Sequence, residues 1–207
     1  MAGPDSRAGA QRMLLIACGA LAREIMDMIR LNGWSHLTVT CLPAIWHNTP
    51  QRIPEGVRRK IREAAGQYDR VLVAYGDCGT GGLLDQVLRE EGAERIEGPH
   101  CYAFYHGLDE FTAQAEAEPA CFYLTDYLAR HFDRLIIEGL GIDRHPELLP
   151  DYFGNYKRLV YLAQSDDAAL RAKAEAAAAR LGLDYEYRFT GYGELGDFLA
   201  AANRAAS

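Results

Sequence analysis

Short apolar runs alternate with segments of helical period along most of the chain, and this alternation restricts the fold more than any other feature. Residues 13–17 form the first run. Leu21, Ile25, Met28 and Ile29 then repeat at helical spacing until Asn32-Gly33, a helix stop. Residues 37–42 read as a second strand. The segment PAIWHNTPQRIP reads as a loop, and a helix is expected over 55–67. Residues 71–75 are apolar throughout, as in a strand buried on both faces. Leu83, Leu84, Val87 and Leu88 mark the third helix. Such a chain is expected to be α/β, with a doubly wound, mainly parallel sheet of Rossmann-like or flavodoxin-like type. Its first three strands should lie in the order 2-1-3.

The second half is less regular. Residues 95–107 read as a short strand and an aromatic-rich loop, and 121–124 as a strand. Thr125 is placed to cap a helix carrying Leu128, Phe132, Leu135 and Ile136, which Gly139 and Gly141 end. A strand over 159–162, an Ala-rich helix striped by Leu170, Ala174, Ala177 and Leu181, a strand over 185–189 and a helix with Leu195, Phe198 and Leu199 complete the pattern. Residues 1–12 are expected as a disordered extension. Residues 13–205 form the α/β domain, divisible into lobes 13–115 and 116–205.

Composition excludes several functions. Hydrophobic residues make up 49% of the 207, enough for a packed core, and the net charge is −7. An acidic chain without a Lys/Arg block is a poor binder of phosphate backbones, so no nucleic-acid partner is expected. The basic stretch Arg58, Arg59, Lys60 and Arg62 is interspersed with Glu55 and Glu63 and reads as a solvated helix face. No apolar run approaches the ~20 residues that cross a bilayer, and the first residues carry no apolar core of a secretory signal. A cytoplasmic protein with reduced thiols and no membrane partner is therefore expected.

Three of the five cysteines then carry the chemistry. Cys18 follows the first strand in LLIACGALARE, Cys78 follows the third in VLVAYGDCGTGG, and Cys101 sits in GPHCYAFYHG. In a 2-1-3 sheet, strands one and three are neighbours about 4.8 Å apart, and their carboxyl ends flank the crevice where ligands collect. If the loop of Cys101 returns over that edge, three thiolates hold a zinc ion or iron–sulfur cluster with one position open. Gly19, Gly79 and Gly81 let the backbone approach the bound group. Cys41 and Cys121 lie within apolar strand text and are expected in the core.

Glu24, His47 and Asp77 are the expected acid–base groups near that edge. Tyr102 and Tyr105, in an aromatic segment, would wall a pocket for a small-molecule substrate. Two other readings stay open. The chain could be a non-catalytic module holding a methylated amine or a corrinoid, or a hydrolase or transferase with Cys78 as nucleophile. GDCGTGG lacks the G-K-[ST] ending of a phosphate loop, which argues against nucleotide binding.

The segments ACGALARE, LPAIWHNTP, YGDCGTGG, HCYAFYHG and FYLTDYLARHFD resemble an uncharacterised bacterial and archaeal family, domain of unknown function number sixteen thirty-eight. Genes of that family often stand beside corrinoid proteins and trimethylamine-methyltransferase-like enzymes. The resemblance implies a role in corrinoid-linked methyl transfer or one-carbon metabolism, as a metal-dependent methyltransferase or accessory protein. Its partner would be a corrinoid protein or a methyltransferase.

Overall fold

The computed structural model describes residues 11–205, so the expected N-terminal extension lies, up to residue 10, outside the described residues. The chain divides into two compact units. One runs to Ile96 and takes in Gly196 onward, and the other is Glu97–Leu195. The division thus falls nearer the middle of the chain than residue 115.

The first unit holds β1 (Met13–Cys18), α1 (Ala22–Asn32), β2 (Leu37–Leu42), α2 (Arg52–Glu63), β3 (Arg70–Ala74), α3 (Leu83–Glu91) and the two-residue β4 (Glu94–Arg95). All pairings are parallel, in the order β2-β1-β3-β4. The 2-1-3 expectation is met, with β4 added beyond β3. Every residue of β1 is buried, which fits a continuous apolar run paired on both sides. Gly33, left-handed at φ +66°, ends α1 as its sequence suggests. Three salt bridges tie α2 to α3. Arg58 reaches Glu90 and Glu91, and Arg62 reaches Glu91, so much of the basic stretch is neutralised within the unit.

In the second unit come α4 (Cys101–His106), α5 (Leu108–Ala117), β5 (Cys121–Leu124), α6 (Asp126–Arg130), α7 (Leu149–Phe153), β6 (Arg158–Ala163), α8 (Ala168–Leu181) and β7 (Asp184–Phe189). The last helix, α9 (Gly193–Arg204), begins in this unit and ends in the first. The sheet is parallel, in the order β5-β6-β7. Side chains alternate across β6. Leu159, Tyr161 and Ala163 enter a core with Leu170, Ala174 and Leu181 of α8. Val160 and Leu162 enter a second core with Phe111 and Tyr123. The chain is thus α/β, with helices flanking two mainly parallel sheets.

Three local expectations need correction. The aromatic loop contains a helix, α4, because burial of Ala103, Phe104 and Tyr105 outweighs weak propensity. The helix after Thr125 is broken. Thr125 does cap it, accepting from the Leu128 N–H at 3.4 Å, but α6 stops at Arg130 and a π-helical turn covers Asp133–Ile137. Cys41 is exposed, not core, because β2 is an edge strand in which only the two end residues, Leu37 and Leu42, are buried. Cys121 is buried as expected.

At the carboxyl edge of the second sheet, the buried Asp126 carboxylate accepts four hydrogen bonds. They come from the Tyr161 hydroxyl (2.7 Å), the Gln164 N–H (3.0 Å), the Ser165 N–H (3.1 Å) and the Ser165 hydroxyl (2.5 Å). This network staples the end of β5 to the end of β6.

Candidate functional site

In the first unit the chain leaves β1 toward β2 on one side and later fills β3 on the other, so the carboxyl ends of β1 and β3 flank a switch point. Cys18 is the last residue of β1 and is 3% exposed. Its Sγ accepts the Ala20 N–H at 3.4 Å, capping the short 3-10 turn Gly19–Leu21. Gly19 is required by space, since a Cβ there would stand 3.0 Å from the Leu42 carbonyl oxygen at the end of β2.

Cys78 sits in the turn between β3 and α3. It is 7% exposed and has φ +48°, the sole non-glycine residue with positive φ among the described residues. A left-handed residue with a Cβ costs about 1–2 kcal/mol. Asp77 holds the turn in that shape. Its carboxylate accepts the Thr80 hydroxyl at 2.6 Å, the Gly82 N–H at 2.8 Å and the Gly81 N–H at 3.1 Å. Burial opposes the Asp77 charge, but these donors outweigh it and set its pKa below the ordinary range. The backbone following Cys78 is also left-handed at Gly79 and Gly81, a run only glycine adopts at little cost.

His47 joins the two thiols. It lies in the 3-10 turn Ala44–Asn48 between β2 and α2. Trp46 anchors that turn by packing where Gly56 of α2 has no side chain, since a Cβ on Gly56 would come within 2.3 Å of the indole. The Arg52 guanidinium covers the same ring at 5.0 Å. His47 Nδ1 is 2.8 Å from the Ala44 carbonyl oxygen and 4.0 Å from Cys18 Sγ. A carbonyl can only accept, so Nδ1 carries a proton, and in the neutral ring Nε2 is the nitrogen with the lone pair. Burial disfavours the imidazolium, but hydrogen bonding to Cys78, that thiol's charge and the Ala44 carbonyl prevail and raise the His47 pKa.

Tyr75 completes the group. It directly follows β3, is 1% exposed, and stacks on His47 with centroids 6.2 Å apart at 18°. Burial and the neighbouring Cys18 push its phenol far above the ordinary range, so it stays protonated. Burial likewise raises the Cys18 thiol, against the opposing hydrogen bonds of Ala20 and Tyr75.

The structure therefore gathers Cys18, His47 and Cys78, with Gly19, Asp77, Gly79 and Gly81 shaping the backbone around them. Asp77 serves as a turn cap. Glu24 is buried in the first turn of α1. Cys101, Tyr102 and Tyr105 belong to α4 of the second unit, where Tyr102 stacks on Tyr123 at 5.5 Å and Tyr105 is buried. Cys18 and Cys78 thus belong to the first unit and Cys101 to the second. Among the described residues, no three His, Cys, Asp or Glu side chains are grouped closely enough to hold a metal ion as they stand. Sequence reasoning missed Tyr75, although a phenol closing an otherwise aliphatic strand was a usable signal.

The fold and these residues define a parallel α/β protein with two buried thiols beside a solvent-facing histidine at a sheet switch point. The chain belongs to the family described as protein of unknown function (DUF1638), whose model matches residues 41–199. That span includes His47, Tyr75, Cys78 and Cys101, and leaves out Cys18. No curated protein matches the chain. Among the described residues, no helix is long and apolar enough to cross a membrane.

Proposed function

We propose that this chain binds a thiophilic metal, as zinc or an iron–sulfur cluster, and uses it in corrinoid-linked methyl transfer or one-carbon metabolism. The observation that supports this is one imidazole shared by two buried thiols, one ending β1 and the other in the turn after its parallel neighbour β3. Two thiolates and an imidazole match the donor set of catalytic zinc sites that keep a fourth position open. His47 also has the outer-shell contact typical of such ligands, its second nitrogen donating to a backbone carbonyl. The donors fit in kind. Bound there, the metal would keep an incoming thiol deprotonated at neutral pH, as methyl acceptance requires. The chain's own part is to hold the two thiolates on buried positions and to fix the imidazole through Ala44 and Trp46. The family resemblance supplies the methyl-transfer setting and a corrinoid protein or methyltransferase as partner.

The test is metal and acid-labile sulfide content of protein purified without oxygen and without a metal-binding tag. About one zinc per chain, or iron with sulfide, is expected in the parent, with loss in Cys18→Ser, Cys78→Ser and His47→Ala. The same measurement on Cys101→Ser decides whether the third thiolate expected from the sequence takes part. Full retention in the Cys18 and Cys78 variants, or a metal-free parent, ends the metal reading.

The backbone at Cys78 favours a second reading. A strained strand-to-helix turn presenting a thiol to an imidazole is also how a nucleophile is held. In that case metal-free protein alkylates fastest at Cys78, and His47→Ala slows that reaction. If Cys78 reacts no faster than the other buried thiols, this reading fails.

A further inference from the structure

We propose that the Tyr75 hydroxyl is the hydrogen-bond donor to the ligand atom held between Cys18, His47 and Cys78, and that this atom is the sulfur of a thiol bound as its thiolate. The assignment rests on the reading of that cluster as a ligand site. Its own support is separate. The Tyr75 oxygen is buried and, apart from the weakly accepting Cys18 thiol, has no hydrogen-bond partner among the described residues, in a side chain 1% exposed. Buried hydroxyls seldom stay unpaired, because the lost hydration is not replaced. Here the ring lies nearly parallel to His47, with centroids 6.2 Å apart, and its burial keeps the oxygen from water.

The polar groups around it cannot satisfy a donor well. Thiols are weak acceptors, and His47 is committed to the Ala44 carbonyl and to Cys78. An anionic ligand atom would supply what is missing. The site residues described above include no lysine or arginine, which disfavours a hard, strongly hydrated anion such as phosphate. A soft thiolate, weakly hydrated and content beside sulfur and aromatic carbon, suits the pocket. Tyr123 also carries an unpartnered buried hydroxyl, but it stacks on Tyr102 and Phe111 rather than on an imidazole. Tyr75 is therefore a positioning residue for the incoming thiol.

The experiment loads the full chain with cobalt(II) and titrates it with 2-mercaptoethanol, following the d–d and sulfur-to-cobalt bands in the parent and in Tyr75→Phe. The expected result is the same cobalt spectrum before thiol is added, and an apparent thiol affinity at least about tenfold weaker in Tyr75→Phe, one lost hydrogen bond to a charged acceptor. Equal affinities overturn the assignment. So does a metal-free Tyr75→Phe that melts well below the parent, since the hydroxyl would then already be bonded within the protein. If the parent takes up no cobalt, the metal reading fails on its own. Tyr75 is then judged with thiocyanate, a soft anion, by thermal shift of the metal-free chains. A response about tenfold weaker in Tyr75→Phe upholds the assignment, and an equal response, or none in the parent, overturns it.

Discussion

The two parallel sheets end in opposite ways. At the carboxyl edge of β5 and β6, the Asp126 carboxylate is buried, and four donors from β6 and the turn after it saturate it. The strands of that sheet follow in chain order, so no reversal opens a crevice there. At the carboxyl edge of β1 and β3 the order does reverse. Two buried thiols, one of them on a left-handed backbone, one imidazole and a phenol short of a strong acceptor collect at that place. One architecture thus makes two kinds of polar edge. A saturated cluster is a staple, and its value is stability. A cluster left strained and short of partners forgoes stability, and that deficit marks a place for a ligand.

Mutations at the two edges should separate these roles. The largest effect is expected at Asp126→Ala, which strands the Tyr161 hydroxyl and two backbone N–H groups in the interior. A loss of about 3–5 kcal/mol is expected in urea unfolding, as for removing one partner of a buried charged network. A loss below 1 kcal/mol would mean the edge is not a staple (~1 kcal/mol is the net worth of a single ordinary hydrogen bond).

Gly56→Ala comes next. The added methyl meets the Trp46 ring, and overpacking of this kind costs about 1–3 kcal/mol. Because Trp46 anchors the turn of His47, metal content should fall with stability. Intact metal content at reduced stability would show that His47 is placed by something else.

Cys78→Gly should move the two properties in opposite directions. Relief of the left-handed strain favours the folded state by about 1 kcal/mol, partly offset by the freedom glycine gains when unfolded. Metal binding or site alkylation should vanish. A clear destabilisation would refute the view that the cysteine is kept there at a cost.

The smallest effect concerns acid. Arg95, hydrogen-bonded at 2.5 Å, holds the Asp85 carboxyl below its ordinary pKa, and the folded value therefore lies below the unfolded one near 3.9. Its contribution is complete above that pH and fades as pH falls through the folded value. Asp85→Asn should flatten the decline in urea stability between about pH 5 and pH 2, and leave the Asp126 edge unaffected. Parallel declines in the parent and the variant would remove Asp85 from the account.

Most of the sheet was legible because a buried parallel strand must be apolar and its partner helix must have a stripe. The runs that became β1, β3 and β6 could hardly be read otherwise. The segment CYAFYH hid α4, because a six-residue aromatic helix has little intrinsic tendency to form and exists through burial. Cys41 was misplaced because apolar strand text does not say which strand lies at an edge. Cys18, His47 and Cys78 could be brought together on paper, since strand order alone puts their loops side by side. Tyr75 could not, because its importance lies in a missing partner, and absence of a partner is a property of three dimensions.

The exposed thiol of Cys41 on edge strand β2 has a practical consequence. It is open to solvent, while Cys18 and Cys78 are shielded. In air it is the sulfur that reagents and other copies of the chain meet first. A dimer seen on a non-reducing gel would therefore record storage history rather than assembly, and every thiol measurement on the buried pair belongs on a Cys41→Ser background.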